Sequence, residues 1–152
     1  MAVRRPGEDW TILLDYAGAG ALQPRVLEVV GERVFLLDGR AGGRLWLCGT
    51  EGGWNQAAPA QDVVCLHRGE GGGLLLLRRR AGHLELEEWP DAATLTGLPD
   101  PRRRTLALYG DPGGQARDFL PLTPRATADA PRLLLTRVGL PAVLLDPREE
   151  HP

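Results

Sequence analysis

The chain has 152 residues, a formal charge of −2 and 43% hydrophobic residues, enough to bury a core without disulfide or metal staples. Charged residues make up 25%, ordinary for a folded protein, and the near-neutral balance gives no global field to draw nucleic acid. Neither Lys nor Ser occurs, which excludes Schiff-base, Walker-type and serine-nucleophile chemistry.

All 18 basic residues are Arg and Ile12 is the only Ile, the signature of a GC-rich coding sequence. Residues 1–8 lack the apolar core of a signal peptide and are expected to form a tail, followed by one domain over 9–146 and a second tail over 147–152. No apolar run approaches the roughly 18 residues of a membrane-spanning helix, so a cytoplasmic protein with no membrane partner is expected.

Trp10–Leu14 reads as a strand, and Tyr16-Ala17-Gly18-Ala19-Gly20-Ala21 follows it. With Asp38 ending a later strand, this resembles a dinucleotide-binding fingerprint, but Gln23-Pro24 stands where the third glycine belongs. A turn of small residues accounts for it, and no cofactor is expected. Ala21–Glu32 has room for a short helix with Pro24 in its first turn, in competition with a strand at Arg25–Val30.

Arg33–Asp38 and Arg44–Cys48 form a hairpin through the Gly-rich link 39–43, and Trp54 falls in the loop 50–55. Asp62–His67, Leu74–Arg79 and His83–Glu88 read as an antiparallel meander, joined through 69–73 and Ala81-Gly82. In His83-Leu84-Glu85-Leu86-Glu87 the leucines share one face and the glutamates the other. Thr105–Tyr109, Arg132–Val138 and Ala142–Leu145 complete the strands, and Gln115–Leu120 forms a turn or two of helix before Pro121 and Pro124. Val34–Leu37, Leu74–Leu77 and Leu133–Leu135 are apolar on both faces and must be covered on both. The expected fold is β-rich, an antiparallel meander forming a small barrel or sandwich with one or two short helices; the alternative is an α/β open sheet.

Residues 31–38 leading into 41–47, with Leu-Asp before the glycines and Leu45-Trp46 after them, resemble a blade repeat of quinoprotein-type propellers. Residues 73–77 leading into 81–86 repeat the design loosely. Separately, Trp10–Leu14 with Tyr16-Ala17-Gly18 and Leu22-Gln23-Pro24, then Gly110-Asp111-Pro112 and Asp118-Phe119-Leu120, is similar to segments of clostripain-type cysteine peptidases. Ala142–Asp146 stands where the strand before the catalytic His belongs. That resemblance implies a caspase-like α/β fold in an inactive remnant, because Pro147-Arg148-Glu149 replaces the His-Gly and no Cys follows.

Chemistry has few carriers. Cys48 and Cys65 form no Cys-x-x-Cys and are expected as two buried thiols. Cys65 and His67 share a strand face, although Cα atoms about 6.5–7 Å apart do not favour a thiolate–imidazole pair. Glu85, Glu87 and Glu88 face the triplet Arg78-Arg79-Arg80 across a tight turn, a pattern of cross-strand charge pairing. No catalytic residue and no metal site is assigned. The binding candidates are Arg78, Arg79, Arg80, Arg102, Arg103 and Arg104, whose guanidinium forks suit phosphate, with Trp54 and Trp89 as aromatic contacts. The expected function is a non-enzymatic binding or assembly module with a protein partner or self-association. Nucleic-acid binding through the two Arg triplets is one alternative, and the peptidase remnant is the other.

Overall fold

The structure, a computed structural model, describes residues 2–3, 11–12, 23–39, 43–49, 54–122 and 130–148. Its strands are β1 (Ala2–Val3), β2 (Thr11–Ile12), β3 (Pro24–Val30), β4 (Arg33–Asp38), β5 (Arg44–Cys48), β6 (Trp54–Pro59), β7 (Val63–Arg68), β8 (Leu74–Arg80), β9 (His83–Trp89), β10 (Arg104–Gly110), β11 (Ala116–Leu122), β12 (Arg132–Arg137) and β13 (Leu140–Leu145). They form consecutive antiparallel meanders: a first sheet β3-β4-β5-β6, a middle sheet β7-β8-β9-β10 and a third sheet β11-β12-β13, besides the small ribbon β1-β2. The fold is therefore β-rich and antiparallel, with open sheets stacked as in a sandwich; among the described residues no sheet closes into a barrel.

Short Gly turns set the register. Gly31 sits at φ +59 between β3 and β4, and a Cβ there would lie 2.9 Å from the Cβ of Ala93, so both conformation and packing select glycine. Gly82, at φ +76, closes β8 onto β9, pairing Arg80 with His83 and Arg78 with Glu85. Proline obeys the sheet edges: Pro24, Pro59, Pro121 and Pro141 all lie on β3, β6, β11 or β13, the outermost strands of their sheets. There a missing N–H removes no ladder bond from an inner strand.

The two-sided apolar runs explain the stacking. On β8, Leu74 and Leu76 pack toward the first sheet with Phe35, Leu37, Leu45 and Trp89, whereas Leu75 and Leu77 pack toward the third with Phe119, Leu133 and Leu135. One strand thus serves two cores, by the period-2 alternation of its side chains. The sheets also share an inner seam, because the first strands lie side by side, β3 against β7 and β7 against β11. The two stretches alike in sequence are the second and third strands of consecutive sheets, β4-β5 and β8-β9.

Several expectations need correction. Gln115–Leu120 is not helical: β11 runs through it, with Phe119 buried and Leu120 facing out. The possible helix at Ala21–Glu32 gives way to β3 from Pro24 onward. Trp54 does not lie in a loop but opens β6, opposite Cys48. The only helical elements among the described residues are single 3-10 turns, Glu70–Gly72 and Ala92–Thr94, so the α/β open sheet is not formed. β4 is flanked on both sides by antiparallel partners, β3 and β5, which leaves no parallel place for Trp10–Leu14 beside it. The parallel pairing that a dinucleotide fold or a caspase-like fold requires there is absent. Tyr16–Ala21 lies outside the described residues.

Candidate functional site

The first Arg triplet is held by carboxylates. Arg78 lies between the first and middle sheets and grips Glu87 with two bonds, Nε to Oε2 at 3.1 Å and Nη2 to Oε1 at 3.2 Å. Its Nη1 donates to Asp62 Oδ1 at 2.7 Å, and Trp89 Nε1 donates to the same Glu87 Oε1 at 2.6 Å. Burial works against the Arg78 charge, but the bonds and fields of Glu87 and Asp62 outweigh it and hold its pKa above the usual guanidinium value. Arg79 pairs with Asp111 and donates to the carbonyl of Gly114, and Arg80 pairs with Asp62 and Glu85.

The second triplet behaves in the same way at lower burial. Arg102 pairs with Asp91 and Asp100, Arg104 pairs with Glu88 at 2.6 Å, and Arg103 donates to the Asp100 carbonyl. The triplets are not brought together. On β9, Arg80 is opposite His83 and Arg104 opposite Glu88, five residues apart, which is about 17 Å of strand. Trp89 is fully buried and meets Phe35 edge-on, with centroids 6.4 Å apart, so it supplies no exposed stacking platform. Only the backbone of Trp54 is described.

The thiol and imidazole candidates are structural in their surroundings. Cys65 is buried in the core between the middle and third sheets and donates to the carbonyls of Arg117 and Leu66. Burial first, and the charge of Asp118 second, push its pKa up to about 12, so the thiol stays protonated at neutral pH. His67 rests on the Phe119 ring, with centroids 5.5 Å apart. Burial pushes the imidazole below its usual pKa, against the opposing pull of Asp118. Of the carboxylates on the His83 face, Glu85 goes to Arg80 and Thr105 and Glu87 to Arg78 and Trp89. No cluster of His, Cys, Asp and Glu able to hold a metal occurs among the described residues.

Among the described residues there are open clefts of about 350 and 720 Å³. The smaller is bordered by Arg25, Asp38 and Gln61, the larger by Arg68, Glu70 and Val29, and neither is lined by a His or Cys.

Two features of the molecule leave no mark in the sequence alone. One is the polar seam where the first strands meet. There Arg25 Nη2 donates to the Ala116 carbonyl at 2.9 Å, and the Glu28 pKa is raised by burial and by Asp118, with Arg68 opposing. The other is the outer face of the third sheet. Leu120, Leu134 and Leu144 are directly paired across β11, β12 and β13, so their side chains form one apolar row on that face. Leu120 and Leu144 are 46% and 42% exposed, and Leu122 beside them is exposed as well.

The chain matches no protein-family model, no curated protein and no solved structure. Among the described residues no helix is long and apolar enough to cross a membrane.

Proposed function

We propose that the protein is a non-enzymatic binding or assembly module whose contact surface is the outer face of the third sheet. One observation carries the reading. Of the large apolar side chains left exposed among the described residues, Leu120, Leu122, Val138, Leu140 and Leu144 belong to the third sheet or its last turn, and Leu27 and Val29 to the first strand of the first sheet. None belongs to the middle sheet, which is covered on both faces. Apolar side chains gathered in this way mark contact surfaces more often than chance placement does. The reactive inventory supports the same reading, since the Cys65 thiol is buried and protonated and Arg78, Arg79, Arg80, Arg102 and Arg104 are held in ion pairs.

The two native cysteines give the test. Both are free and buried, so they provide a silent background for thiol labelling. Leu120→Cys places one exposed thiol on the proposed surface, and Ala81→Cys places a control in the exposed β8–β9 turn. The expected result is that both variants react alike with a maleimide in dilute purified protein, whereas in living cells Leu120→Cys reacts several-fold more slowly. Equal rates in cells would sink the reading.

A further inference from the structure

We infer that the cleft bordered by Arg25, Asp38 and Gln61 is a binding site for a small hydrophilic zwitterion of the α-amino acid class. Arg25 holds its carboxylate, Asp38 its ammonium and Gln61 its polar side chain. The site shares no residue with the outer face of the third sheet, and the inference does not rest on the contact-surface reading.

The three stacked sheets start with the same irregularity. In each, the pairing of first strand to second skips one residue: Arg25 between Pro24 and Val26 on β3, Val64 between Val63 and Cys65 on β7, and Arg117 between Ala116 and Asp118 on β11. Such bulges turn a side chain out of the strand's alternation and are common beside functional sites. On β3 the residue turned out is Arg25. Its Nη2 donates to the Ala116 carbonyl at 2.9 Å, which fixes the guanidinium where the first and third sheets meet.

A mainly polar cleft of about 350 Å³ opens there, within the usual size of small-molecule sites. Three polar residues border it from three separate elements: Arg25 from β3, Asp38 from the end of β4 and Gln61 from the link between β6 and β7. Between them part of the wall is bare backbone. A Cβ on Gly43 would lie 3.2 Å from the carbonyl oxygen of Asp38, a crowded contact that glycine avoids.

Charge decides the ligand. Asp38 is 2% exposed and accepts the Gln23 N–H at 3.2 Å, one of the roughly four donors that a carboxylate can take. Elsewhere an Arg beside a carboxylate closes on it, as Arg78 does on Glu87, Arg79 on Asp111 and Arg104 on Glu88. Arg25 and Asp38 border the same cleft without joining, because Arg25 gives its bond to Ala116. A cation and an anion held apart across one space match a ligand that carries both charges. A simple anion would meet the field of Asp38 and a simple cation that of Arg25, so each binds less well than the zwitterion. The exposed Gln61 amide offers both a donor and an acceptor to a polar side chain.

Calorimetric titration of the full chain with glycine, L-serine and L-glutamine tests this, each compared with its N-acetyl acid and its amide. The expected result is saturable binding of at least one amino acid, weakened about tenfold or more when either charge is removed. The backbone amide resonances of Gly39, Gly43 and Gln61 should shift along the same titration. Arg25→Gln should weaken the amino acid about tenfold and leave its amide unchanged. Asp38→Asn, which keeps an acceptor for the Gln23 N–H, should weaken the amino acid and spare its N-acetyl form. No saturation by any of the three amino acids overturns the inference, as does an N-acetyl acid or an amide that binds as tightly as its parent. Shifts confined to other residues also overturn it, because they put the ligand elsewhere. These comparisons between ligands are made on the wild type, so they hold even where a variant fails to fold. None of them bears on the labelling of Leu120→Cys, and the contact surface of the third sheet stands or falls separately.

Discussion

β8 begins Leu74-Leu75-Leu76-Leu77 and β12 runs Arg132-Leu133-Leu134-Leu135, nearly the same string in the middle of two neighbouring sheets. All four leucines of β8 are buried, whereas β12 buries Leu133 and Leu135 and leaves Leu134 only half-buried, in a row with exposed Leu120 and Leu144. The two strands do not differ in hydrophobicity. They differ in how many sheets lie beside them: the middle sheet has a neighbour on each side, and the third has one. An apolar string specifies how much cover a strand requires, and the stack decides whether the same chain supplies it.

The contrast predicts its largest effect at the charges between the first and middle sheets. Glu87→Ala leaves the half-buried Arg78 and the Trp89 indole without their shared acceptor. Removing one partner of a buried pair costs about 3–5 kcal/mol. Urea unfolding with an unchanged slope should register that loss. A cost under about 1 kcal/mol would place the pair among solvated ones and break the comparison.

Leucine truncations sharpen the same point on the apolar side. Leu76→Ala, on the fully covered sheet, is expected to lose about 2–5 kcal/mol through lost burial and a cavity. Leu144→Ala, at protein concentrations low enough to keep the chain monomeric, should change stability by no more than about 0.5 kcal/mol. Equal costs would mean that the third sheet is covered within its own chain.

What was legible in the sequence follows the same division. The β8–β9 hairpin could be read directly, because Ala81-Gly82 supplies the turn and Leu84 and Leu86 alternate with Glu85 and Glu87. β6 could not: Trp54-Asn55-Gln56-Ala57-Ala58-Pro59 has neither an apolar run nor alternation, and it is a strand because β5 offers it an edge. Gln115–Leu120 reads as a turn or two of helix stopped by Pro121 and Pro124, yet β11 runs through it; the strand tolerates Pro121 because β11 is an edge. The Arg triplets read as phosphate binders because guanidinium forks suit phosphate, while Asp62, Asp91 and Asp111, which hold Arg78, Arg102 and Arg79, are distant in the chain or across turns and give no local sign of the pairing. The row at Leu120, Leu134 and Leu144 gave no local signal, since an exposed leucine and a core leucine are spelled alike.

At the boundary between the middle and third sheets a smaller, pH-dependent effect is expected. His67, packed on Phe119, has its pKa held below the usual 6.5 mainly by burial. The folded state therefore resists protonation more than the unfolded chain does. The resulting stability is present above pH 6.5 and is lost as pH falls through the folded value. Glu28 has the opposite sign: its raised pKa favours the folded state below the usual 4.5, and that contribution fades as pH rises. Thermal melts on either side of pH 6.5 should show His67→Gln losing less stability on acidification than the wild type. Equal losses in the two proteins would show that the imidazole is no harder to protonate in the fold than outside it.

A comparably small effect belongs to the third sheet's own ion pair. Arg132 Nε lies 2.6 Å from Asp146 Oδ1, a shorter contact than either bond between Arg78 and Glu87. Distance alone would rank it the stronger. The side chains are 51% and 70% exposed, however, so water solvates both charges whether or not they meet, and two long side chains lose freedom in meeting. Asp146→Ala in the monomeric chain should therefore cost about 0–1 kcal/mol, and high salt should abolish even that difference. A loss comparable to that of Glu87→Ala would mean that the ends of the Leu120–Leu134–Leu144 row are shielded from water in the single chain. The third sheet would then be covered like the middle one, and the contrast between them would disappear.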